Sequence, residues 1–236
     1  MNPLEFLKYK HSADSTKKRG LITFINPYSY LFFRKNLNLF SEFDEILIDG
    51  IALVKLVRLI GVKTRRLSFD MTSLAPIVFK TAIEKHESIY FVGSTEKALV
   101  NFIGIIKTNY SELNIIGFRN GFFKDENERA LFLDSIIDKN PDILVVGMGT
   151  PLQEMFLVDL KKKGWKGVGY TCGGFIHQTI SKPNYYPKFY DKYNLRWCYR
   201  ILDEPELIKR YFFLYPKSLF LFFLDFIKMK INKFNK

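Results

Sequence analysis

The sequence predicts an α/β fold, namely an open, mostly parallel, Rossmann-like sheet flanked by helices, with a helical appendage at its C-terminal end. Two observations predict it. Short apolar runs are each followed by a turn and a helical pattern, an alternation typical of parallel strands joined by crossover helices. The runs are nearly continuously apolar, as expected of strands buried on both faces. With 236 residues, 47% of them hydrophobic and 25% charged, the chain can bury a full core.

Six strands and six helices follow from these patterns. The predicted strands are Leu21–Ile25, Glu45–Ile48, Ser88–Val92, Leu113–Gly117, Ile143–Val146 and Gly167–Thr171. The predicted helices are Tyr28–Asn36, Ile51–Ile60, Met71–His86, Thr95–Thr108, Asn127–Lys139 and Pro151–Lys163. Because open parallel sheets bind ligands beyond the carboxyl ends of their strands, we expect a site in the loops that follow the strands.

The sequence changes character after residue 180. Residues 181–190 are rich in Pro and Tyr, residues 194–210 form a helical pattern of mixed charge, and residues 211–234 are apolar and basic. We therefore predict an α/β core over residues 1–190 and a basic, Phe-rich helical appendage over residues 191–236.

The formal net charge is +12, which indicates an anionic partner: nucleic acid, anionic lipid or a phosphorylated small substrate. Residues 207–236 hold seven Lys or Arg and one Asp, a net +6 and half of the total. Aromatic bulk opposite lysines is typical of a helix that lies in a membrane interface, and a core helix docked on the sheet is the alternative. On a helix from Leu219, one face carries Phe220, Phe223, Phe226, Ile227, Ile231 and Phe234, and the other carries Asp225, Lys228 and Asn232.

Several chemistries lack their residues in this sequence. Two cysteines and three scattered histidines disfavour a disulfide framework and a zinc site, and no Asp-x-Asp pair is present for a metal-bound nucleotide. The motifs GxGxxG, GxxxxGKS/T and GxSxG are missing as well. The first twenty residues lack the apolar segment of a signal peptide, and the apolar run Leu219–Leu224 is too short to span a bilayer. We expect a reducing compartment, no metal and no cofactor.

Asp49 and Gly50 follow the second predicted strand and precede a helix. A carboxylate at the carboxyl end of a strand, beside a glycine that leaves room for a ligand, is well placed for acid–base chemistry. Asp is also among the best helix N-caps, so capping of the helix that begins at Ile51 is the alternative.

The turn Gly-Met-Gly at residues 147–149 precedes another predicted helix. Thr150 is a candidate N-cap, Pro151 fits the first helical position, and Gln153 would complete a capping box. Glycines before a helix N-terminus also let backbone N–H groups approach a phosphate. The turn therefore predicts an anion site, a capped helix start, or both.

Cys172 begins a second glycine-rich loop, Cys-Gly-Gly at residues 172–174. It is either a nucleophile or a small buried residue, and the sequence favours the second because nothing nearby marks it as activated.

Taken together, these loops resemble the WecG/TagA/CpsF glycosyltransferases, glycosyltransferase family 26. The resemblance runs from Leu21 to Tyr215, and its most specific parts are residues 140–154 and the segment Trp197-x-x-Arg200 with the Glu-Pro that follows it. The other matching segments are residues 25–30 (Ile-Asn-Pro-Tyr-Ser-Tyr), 48–54 (Ile-Asp-Gly-Ile-Ala-Leu-Val), 65–70 (Arg-Arg-Leu-Ser-Phe-Asp) and 172–175 (Cys-Gly-Gly-Phe).

This resemblance implies an inverting, metal-independent glycosyltransferase. It would transfer a sugar, of the N-acetylmannosamine type or a related one, from a UDP-sugar donor to a polyprenyl-diphosphate-linked saccharide in bacterial surface polysaccharide biosynthesis. The resemblance also implies that the appendage meets an anionic membrane surface, so that the protein is cytoplasmic and peripheral on the inner face of the cell membrane. Whether it forms a homo-oligomer is left open.

The resemblance also assigns roles to residues. Asp49 matches the proposed general base, which takes the proton of the acceptor hydroxyl. Gln153 is expected to touch the donor or acceptor sugar, whereas Arg200 and Arg210 are expected to reach the diphosphate and stabilise the charge that the departing UDP gains. The implied substrate-binding residues are Asn26, Gly50, Arg66, Asp70, Gly147, Gly149, Gln153, Gly173, Gly174, Arg200 and Arg210.

Two departures from the family pattern concern polar contacts. Leu207 stands where the family has a second appendage arginine, so the phosphate contact of that arginine could pass to Lys209 or be reduced. Phe24 stands where the family has a threonine, with Thr23 one place earlier.

Two further departures concern the pocket. Arg65 and Arg66 compete for the position of a single family arginine. The usual acidic position after Gly-Gly-x-Phe falls in Ile-His-Gln at residues 176–178, which allows a different sugar.

Two other classes of function compete with this one. A basic nucleic-acid-binding module would use the positive charge to neutralise phosphates, but no RRM, KH or zinc-finger signature is present, and we expect no nucleic-acid partner. Another nucleotide-dependent α/β enzyme, such as a dehydrogenase, is disfavoured by the missing GxGxxG.

Overall fold

The sheet has six parallel strands in the order β2-β1-β6-β5-β3-β4. The computed structural model describes residues 1–11, 20–181, 185–193 and 195–234. All six predicted strands are confirmed, and the largest difference is at β4, which begins at Ile115 rather than Leu113. The strands are β1 (Gly20–Ile25), β2 (Glu45–Ile48), β3 (Ile89–Gly93), β4 (Ile115–Arg119), β5 (Ile143–Gly147) and β6 (Val168–Thr171).

Helices connect the strands and flank the sheet. The helix predicted from Met71 begins at Ala75, because the Asp70 side chain accepts the N–H of Thr72 and holds the chain in a turn. The other five predicted helices are present near their predicted bounds, whereas the sequence patterns do not predict α1, α3 or α9. The helices are α1 (Pro3–Lys10), α2 (Pro27–Phe33), α3 (Leu37–Ser41), α4 (Ile51–Leu59), α5 (Ala75–Glu84), α6 (Glu96–Asn109), α7 (Glu126–Lys139), α8 (Leu152–Lys162), α9 (Phe175–Ser181), α10 (Lys188–Lys192), α11 (Arg196–Asp203) and α12 (Tyr215–Phe234), with a 3₁₀ turn at Pro205–Leu207 and a π-helical turn at Arg210–Leu214.

The sheet separates two layers of core. Along β3, Ile89 and Phe91 pack with residues of α5, α6 and α9, whereas Tyr90 and Val92 belong to the cluster on the other face, which includes residues of α7 and α8. The strand is therefore buried on both faces, which explains why its sequence is continuously apolar rather than alternating.

The last helix, α12, docks on α1 and α2. Its buried face consists of Ser218, Phe222, Asp225 and Met229, which recur every three or four residues and are each at most 3% exposed. The placement of Asp225 on an outward polar face is therefore wrong. This carboxylate is buried because Arg34 and Tyr30 of α2 bind it.

The predicted apolar face of α12 remains exposed. Phe220, Phe223, Ile227 and Ile231 are 62%, 57%, 38% and 51% exposed, while Phe226 is partly buried against the core. The side chain of Phe234 lies outside the described residues. The helix thus docks on the core through one face and presents its apolar face to solvent. Within the described part of the chain, no helix is both long and apolar enough to cross a membrane.

Candidate active site

A cleft of about 650 Å³ opens at the carboxyl edge of the sheet, between the loops that follow β1, β2, β5 and β6 and the helical segment 196–215. Parallel strands direct their following loops to one edge, which is why residues far apart in sequence meet there. Eleven of the twelve predicted site residues line the cleft: Asn26, Asp49, Gly50, Arg66, Asp70, Gly149, Gln153, Gly173, Gly174, Arg200 and Arg210.

Asp49 lies at the carboxyl end of β2, and its side chain is 33% exposed. Its Oδ1 atom accepts the N–H of Gly50 at 2.8 Å and lies 3.5 Å from Nη1 of Arg66. The N-cap of α4 is Gly50, and no side chain caps this helix, so capping of the helix by Asp49 is wrong. The carboxylate is free to face a ligand in the cleft.

Burial raises the pKa of Asp49 above its ordinary value, Arg66 opposes this shift, and the negative charge of Asp70 adds to it. The cleft surrounds the carboxylate with protein atoms even though a third of its surface can be reached by water. A raised pKa makes the carboxylate a stronger base, which suits proton abstraction.

Asp70 is held by many donors. Its Oδ2 atom accepts the Ser68 hydroxyl and lies 3.2 Å from Arg196 and 3.8 Å from Arg66, while Oδ1 accepts the N–H and hydroxyl of Thr72. Asp70 therefore links the loop before α5 to the appendage.

Arg66, rather than Arg65, faces the site. Arg66 lines the cleft and donates to Ser68 at 2.9 Å, whereas Arg65 is exposed to solvent.

The appendage brings two guanidinium groups to the cleft. Arg210 lies 3.6 Å above the ring of Tyr28, and Arg200 lies 3.3 Å from Glu204. Among the described residues, the Nε atoms of both arginines are buried and have no hydrogen-bond partner. Burial lowers the pKa of Arg210, and the charge of Arg200 acts in the same direction, but a guanidinium stays protonated. Two partly buried like charges, each with a buried Nε donor that is unused, favour an anion at this end of the cleft.

Glycine at position 174 allows Arg200 to approach the loop after β6. A Cβ atom there would lie 3.4 Å from Nη2 of Arg200 and 3.2 Å from Nε2 of Gln178. The contact with Gln178 would be tight and that with Arg200 close, so a larger side chain at this position would crowd both residues.

Gln153 joins two of the glycine-rich loops. Its amide donates to Thr150 and Glu154 and accepts the N–H of Gly173 at 3.1 Å. The predicted capping box is wrong, because the N-cap of α8 is Pro151 and no side chain caps the helix. Gln153 instead ties the loop after β5 to the loop after β6.

One predicted site residue, Gly147, and the candidate nucleophile Cys172 do not act as ligand-binding groups in the cleft. Gly147 does not line it. A Cβ atom at position 147 would lie 2.8 Å from Sγ of Cys172, so this glycine permits close packing of two loops. Cys172 lines the cleft but is 9% exposed, and burial raises the pKa of its thiol, which favours the buried structural residue over the nucleophile.

The structure also shows which residues line the cleft at the other positions where the sequence departs from the family pattern. Thr23 is fully buried and donates to Glu154, while Phe24 lines the cleft. Leu207 lines the cleft, and Lys209 points to solvent. At residues 176–178, Gln178 lines the cleft and is 8% exposed, so it is the member of that segment which faces a ligand.

Sequence reasoning missed the aromatic wall of the cleft. Tyr186, Trp197, Tyr211 and Tyr215 line it, together with Arg196. Arg196 and Trp197 lie within a segment that carries the family resemblance, which is the sequence signal that marks them. Within the described ranges, no group of three or more His, Cys, Asp or Glu side chains is arranged to hold a metal ion.

Comparison with known proteins gives one family. The sequence model described as "Glycosyl transferase WecG/TagA/CpsF family" matches residues 3–232. A UDP-Gal:alpha-D-GlcNAc-diphosphoundecaprenol beta-1,4-galactosyltransferase of Shigella boydii is 36% identical over 221 residues, 93% of this chain and 91% of the relative.

Two further relatives carry the name N-acetylglucosaminyldiphosphoundecaprenol N-acetyl-beta-D-mannosaminyltransferase. That of Bacillus spizizenii is 30% identical over 173 residues, 72% of this chain and 65% of the relative. The protein of Bacillus subtilis is 27% identical over 220 residues, which are 89% of this chain and 82% of the relative. The chain belongs to the WecG/TagA/CpsF family and is a glycosyltransferase, which decides between the three classes of function.

Proposed function

We propose that this glycosyltransferase transfers a hexose, with inversion and without a metal ion, from a UDP-sugar to the sugar of a polyprenyl-diphosphate-linked acceptor in bacterial surface polysaccharide biosynthesis. The observation that carries the proposal is a carboxylate with a raised pKa, Asp49, in the same cleft as two partly buried guanidinium groups whose Nε donors are unused, Arg200 and Arg210. Sugar transfer from a nucleotide needs these two functions: a base for the incoming hydroxyl and a cation for the leaving diphosphate.

We propose galactose as the donor sugar. The Shigella boydii relative, named a galactosyltransferase, covers more of this chain at higher identity than the two relatives named as mannosaminyltransferases. Gln178, a neutral side chain, faces the cleft in the segment where the family has an acidic position, which is compatible with a different sugar from theirs. The three relatives are all named for N-acetylglucosamine on diphosphoundecaprenol, and we propose that acceptor here.

In the proposed reaction, the acceptor hydroxyl oxygen attacks the anomeric carbon of the donor. Asp49 takes the hydroxyl proton as the new carbon–oxygen bond forms. The bond between the anomeric carbon and the diphosphate oxygen breaks, and UDP leaves with the electron pair. Attack from the side opposite the leaving group inverts the anomeric centre and gives a β product from an α-linked donor.

Arg200 and Arg210 are proposed to bind the diphosphate. The leaving group gains negative charge as the bond breaks, so fixed guanidinium groups stabilise the transition state more than the ground state. Because both arginines belong to the appendage, residues 191–236 would complete the site as well as cover it.

We also propose that the appendage docks on the cytoplasmic face of the cell membrane, where a polyprenyl-linked acceptor resides. The exposed apolar face of α12 continues into Phe212 and Phe213, which are 64% and 71% exposed. By helical spacing, Lys217 and Lys228 lie on one side of that face and Lys230 on the other. Apolar side chains between lysines match an interfacial helix on an anionic leaflet, where each lysine contributes about 1 kcal/mol.

A UDP-release assay tests the reaction. The enzyme is given UDP-galactose, UDP-N-acetylmannosamine, UDP-glucose or UDP-N-acetylglucosamine with a short-chain lipid-diphosphate N-acetylglucosamine acceptor, with and without EDTA. We expect acceptor-dependent release from UDP-galactose that EDTA does not reduce, and a β-linked product by NMR. Release from UDP-N-acetylmannosamine alone would overturn the donor assignment. Loss of UDP release in EDTA would overturn metal independence. No UDP release by the folded enzyme with any of the donors would overturn the proposed reaction.

A further inference from the structure

Four charged side chains form a row from the appendage to Asp49. Nη1 of Arg196, on α11, lies 3.2 Å from Oδ2 of Asp70. The same Asp70 atom lies 3.8 Å from Nη1 of Arg66, which lies 3.5 Å from Oδ1 of Asp49. The signs alternate along the row, so each successive contact is attractive. We call Asp49, Arg66, Asp70 and Arg196 the charge row.

The outer end of the charge row is well fixed. Arg196 donates from Nη2 to the Thr72 hydroxyl at 2.7 Å, and its guanidinium lies 4.5 Å above the ring of Tyr186. The side chains of Arg196 and Asp70 are only 11% and 13% exposed, so water and salt screen their interaction weakly.

Arg66, in the middle of the charge row, couples the charge of Arg196 to that of Asp49. Arg66 lies between two carboxylates, Asp49 and Asp70, and cannot neutralise both fully. Arg196 supplies a second cation to Asp70, which leaves more of the charge of Arg66 for Asp49. Without Arg196, Asp70 would hold Arg66 more strongly and would also repel the charge on Asp49.

Other groups face Asp49 in the same cleft. The Gly50 N–H donates to it from the start of α4, while Arg200 and Arg210 are further cations on the appendage. Burial raises the pKa of the tyrosines on this wall, so they stay neutral. These tyrosines are Tyr186, Tyr211 and Tyr215. Arg66 and Arg196 favour the ionised form of Asp49, whereas Asp70 opposes it.

We propose that Arg196 is a positioning residue for the base. Through Asp70 and Arg66 it sets how readily Asp49 takes a proton, so that the base reaches its working state only when α11 is seated on the core. The inference rests on the proposed function, because it takes Asp49 as the base.

The test is the pH dependence of kcat/KM, measured with a soluble short-chain acceptor so that membrane docking does not contribute. The activity of the wild type should rise with pH as Asp49 ionises. The part of the pH profile over which activity rises is its acidic limb. Arg196→Gln removes a cation and should shift this acidic limb to higher pH by about half a pH unit or more. Asp70→Asn removes an anion and should move it downward. The double variant should lie close to Asp70→Asn and slightly above it, because Arg196 acts mainly through Asp70 and, to a smaller extent, on the charge of Asp49 directly.

Two controls separate charge from shape. Arg196→Lys keeps the charge and should return the limb toward the wild-type position. Lys192→Gln removes one exposed positive charge from the neighbouring α10 and should leave the limb in place. A general loss of structure would not move the limb in opposite directions in two variants.

The outcomes distinguish this inference from the proposed function. If the folded wild-type enzyme transfers no sugar from any donor, the proposed function fails. If the wild type is active and Asp49→Asn retains full activity, Asp49 is not the base, and the inference fails while the reaction stands. If Asp49→Asn is inactive but Arg196→Gln lowers activity equally at every pH, only the inference fails, and Arg196 is structural. If Arg196→Gln does not fold, the pH profile of Asp70→Asn tests the inference. An acidic limb that stays at the wild-type pH or shifts to higher pH in Asp70→Asn would overturn it.

Discussion

The carboxylate of Asp225 forms a two-pronged ion pair with the guanidinium of Arg34, 191 residues earlier in the chain. Nε and Nη2 of Arg34 donate to the two carboxylate oxygens, each at 2.9 Å. The hydroxyl of Tyr30 donates to the same carboxylate at 2.8 Å. Since Tyr30 lies within α2 and Arg34 is its C-cap, and since the first residues of α2 line the cleft, this ion pair sets the position of α12 relative to the site.

Loss of this ion pair should destabilise the protein. Arg34→Ala leaves a buried carboxylate with only the Tyr30 hydroxyl from α2, and we expect the free energy of unfolding to fall by roughly 3–5 kcal/mol. Denaturant titration measures it. The control is Lys85→Ala, which breaks an exposed pair with Glu87 at 3.8 Å and should cost less than about 1 kcal/mol. Equal small losses in both variants would contradict the role of the Asp225 pair.

Asp49→Asn should abolish most of the activity while sparing donor binding. Removal of a general base lowers turnover by roughly 10²–10⁴-fold. The amide has nearly the same shape, so the affinity for UDP, measured by calorimetry, should stay close to that of the wild type. Wild-type turnover in this variant would remove Asp49 from the mechanism.

The same substitution should stabilise the folded protein at neutral pH. Burial raises the pKa of Asp49 above its unfolded value, so the proton it binds stabilises the fold below the unfolded pKa, and this stability is lost as the pH rises through the folded pKa. An asparagine cannot ionise and avoids that loss. Thermal unfolding should show a higher midpoint for Asp49→Asn at about pH 7.5, and the difference should vanish toward about pH 4. A lower midpoint at neutral pH would show that the Arg66 contact outweighs burial.

Arg200→Ala and Arg210→Ala should each lower kcat/KM by roughly 10²–10³-fold, as expected when one fixed charge donor to a transition state is lost. The matched control is Lys209→Ala, which removes an exposed cation next to Arg210 that does not line the cleft. With a soluble acceptor this control should retain wild-type kinetics. Comparable losses in all three variants would indicate a nonspecific effect of net charge.

Membrane docking should depend on the exposed face of α12. The double substitution Phe223→Asp with Ile227→Asp places two charges on that face, and we expect at least a roughly tenfold loss of binding to anionic phospholipid vesicles. Sedimentation with vesicles measures it. Leu131→Asp, on α7 and 71% exposed in the wild type, is the control and should bind normally. Point substitutions suit this test better than deletion of residues 211–236, because α12 also buries Phe222 and Met229.

Much of the fold follows from local sequence. The six strands were predictable because each is a short, mainly apolar run. In β3 the run is buried on both faces, with Ile89 and Phe91 on one side and Tyr90 and Val92 on the other, whereas β4 at the edge of the sheet is only partly buried. The start of α5 was not predictable from local sequence. The helical pattern begins at Met71, but the hydrogen bond from the Thr72 N–H to the Asp70 side chain holds the chain in a turn before the helix. The short helices α1 and α3 carry too few turns to give a clear period.

The candidate site was predictable to the extent that strand ends define it. Asp49 directly follows β2, and Gly173 is the second residue after β6, so the sheet brings them to one edge. The hydrogen bonds of Gln153 were not predictable from its neighbours. Its position in sequence matches a capping box, but its amide binds Gly173, twenty residues away, on another loop.

By itself, the sequence determined the order of strands and helices, the loops that meet at the sheet edge and the apolar face of the last helix. These depend on short continuous apolar runs and on the 3.6-residue period of helices, which are local properties of the chain. Only the tertiary structure decided that Arg196 binds Asp70, 126 residues away, and that Asp225 turns inward to Arg34. A helical period shows which residues share a face, but the partner that covers a face, and the charge that neutralises a buried carboxylate, are settled by how distant segments pack.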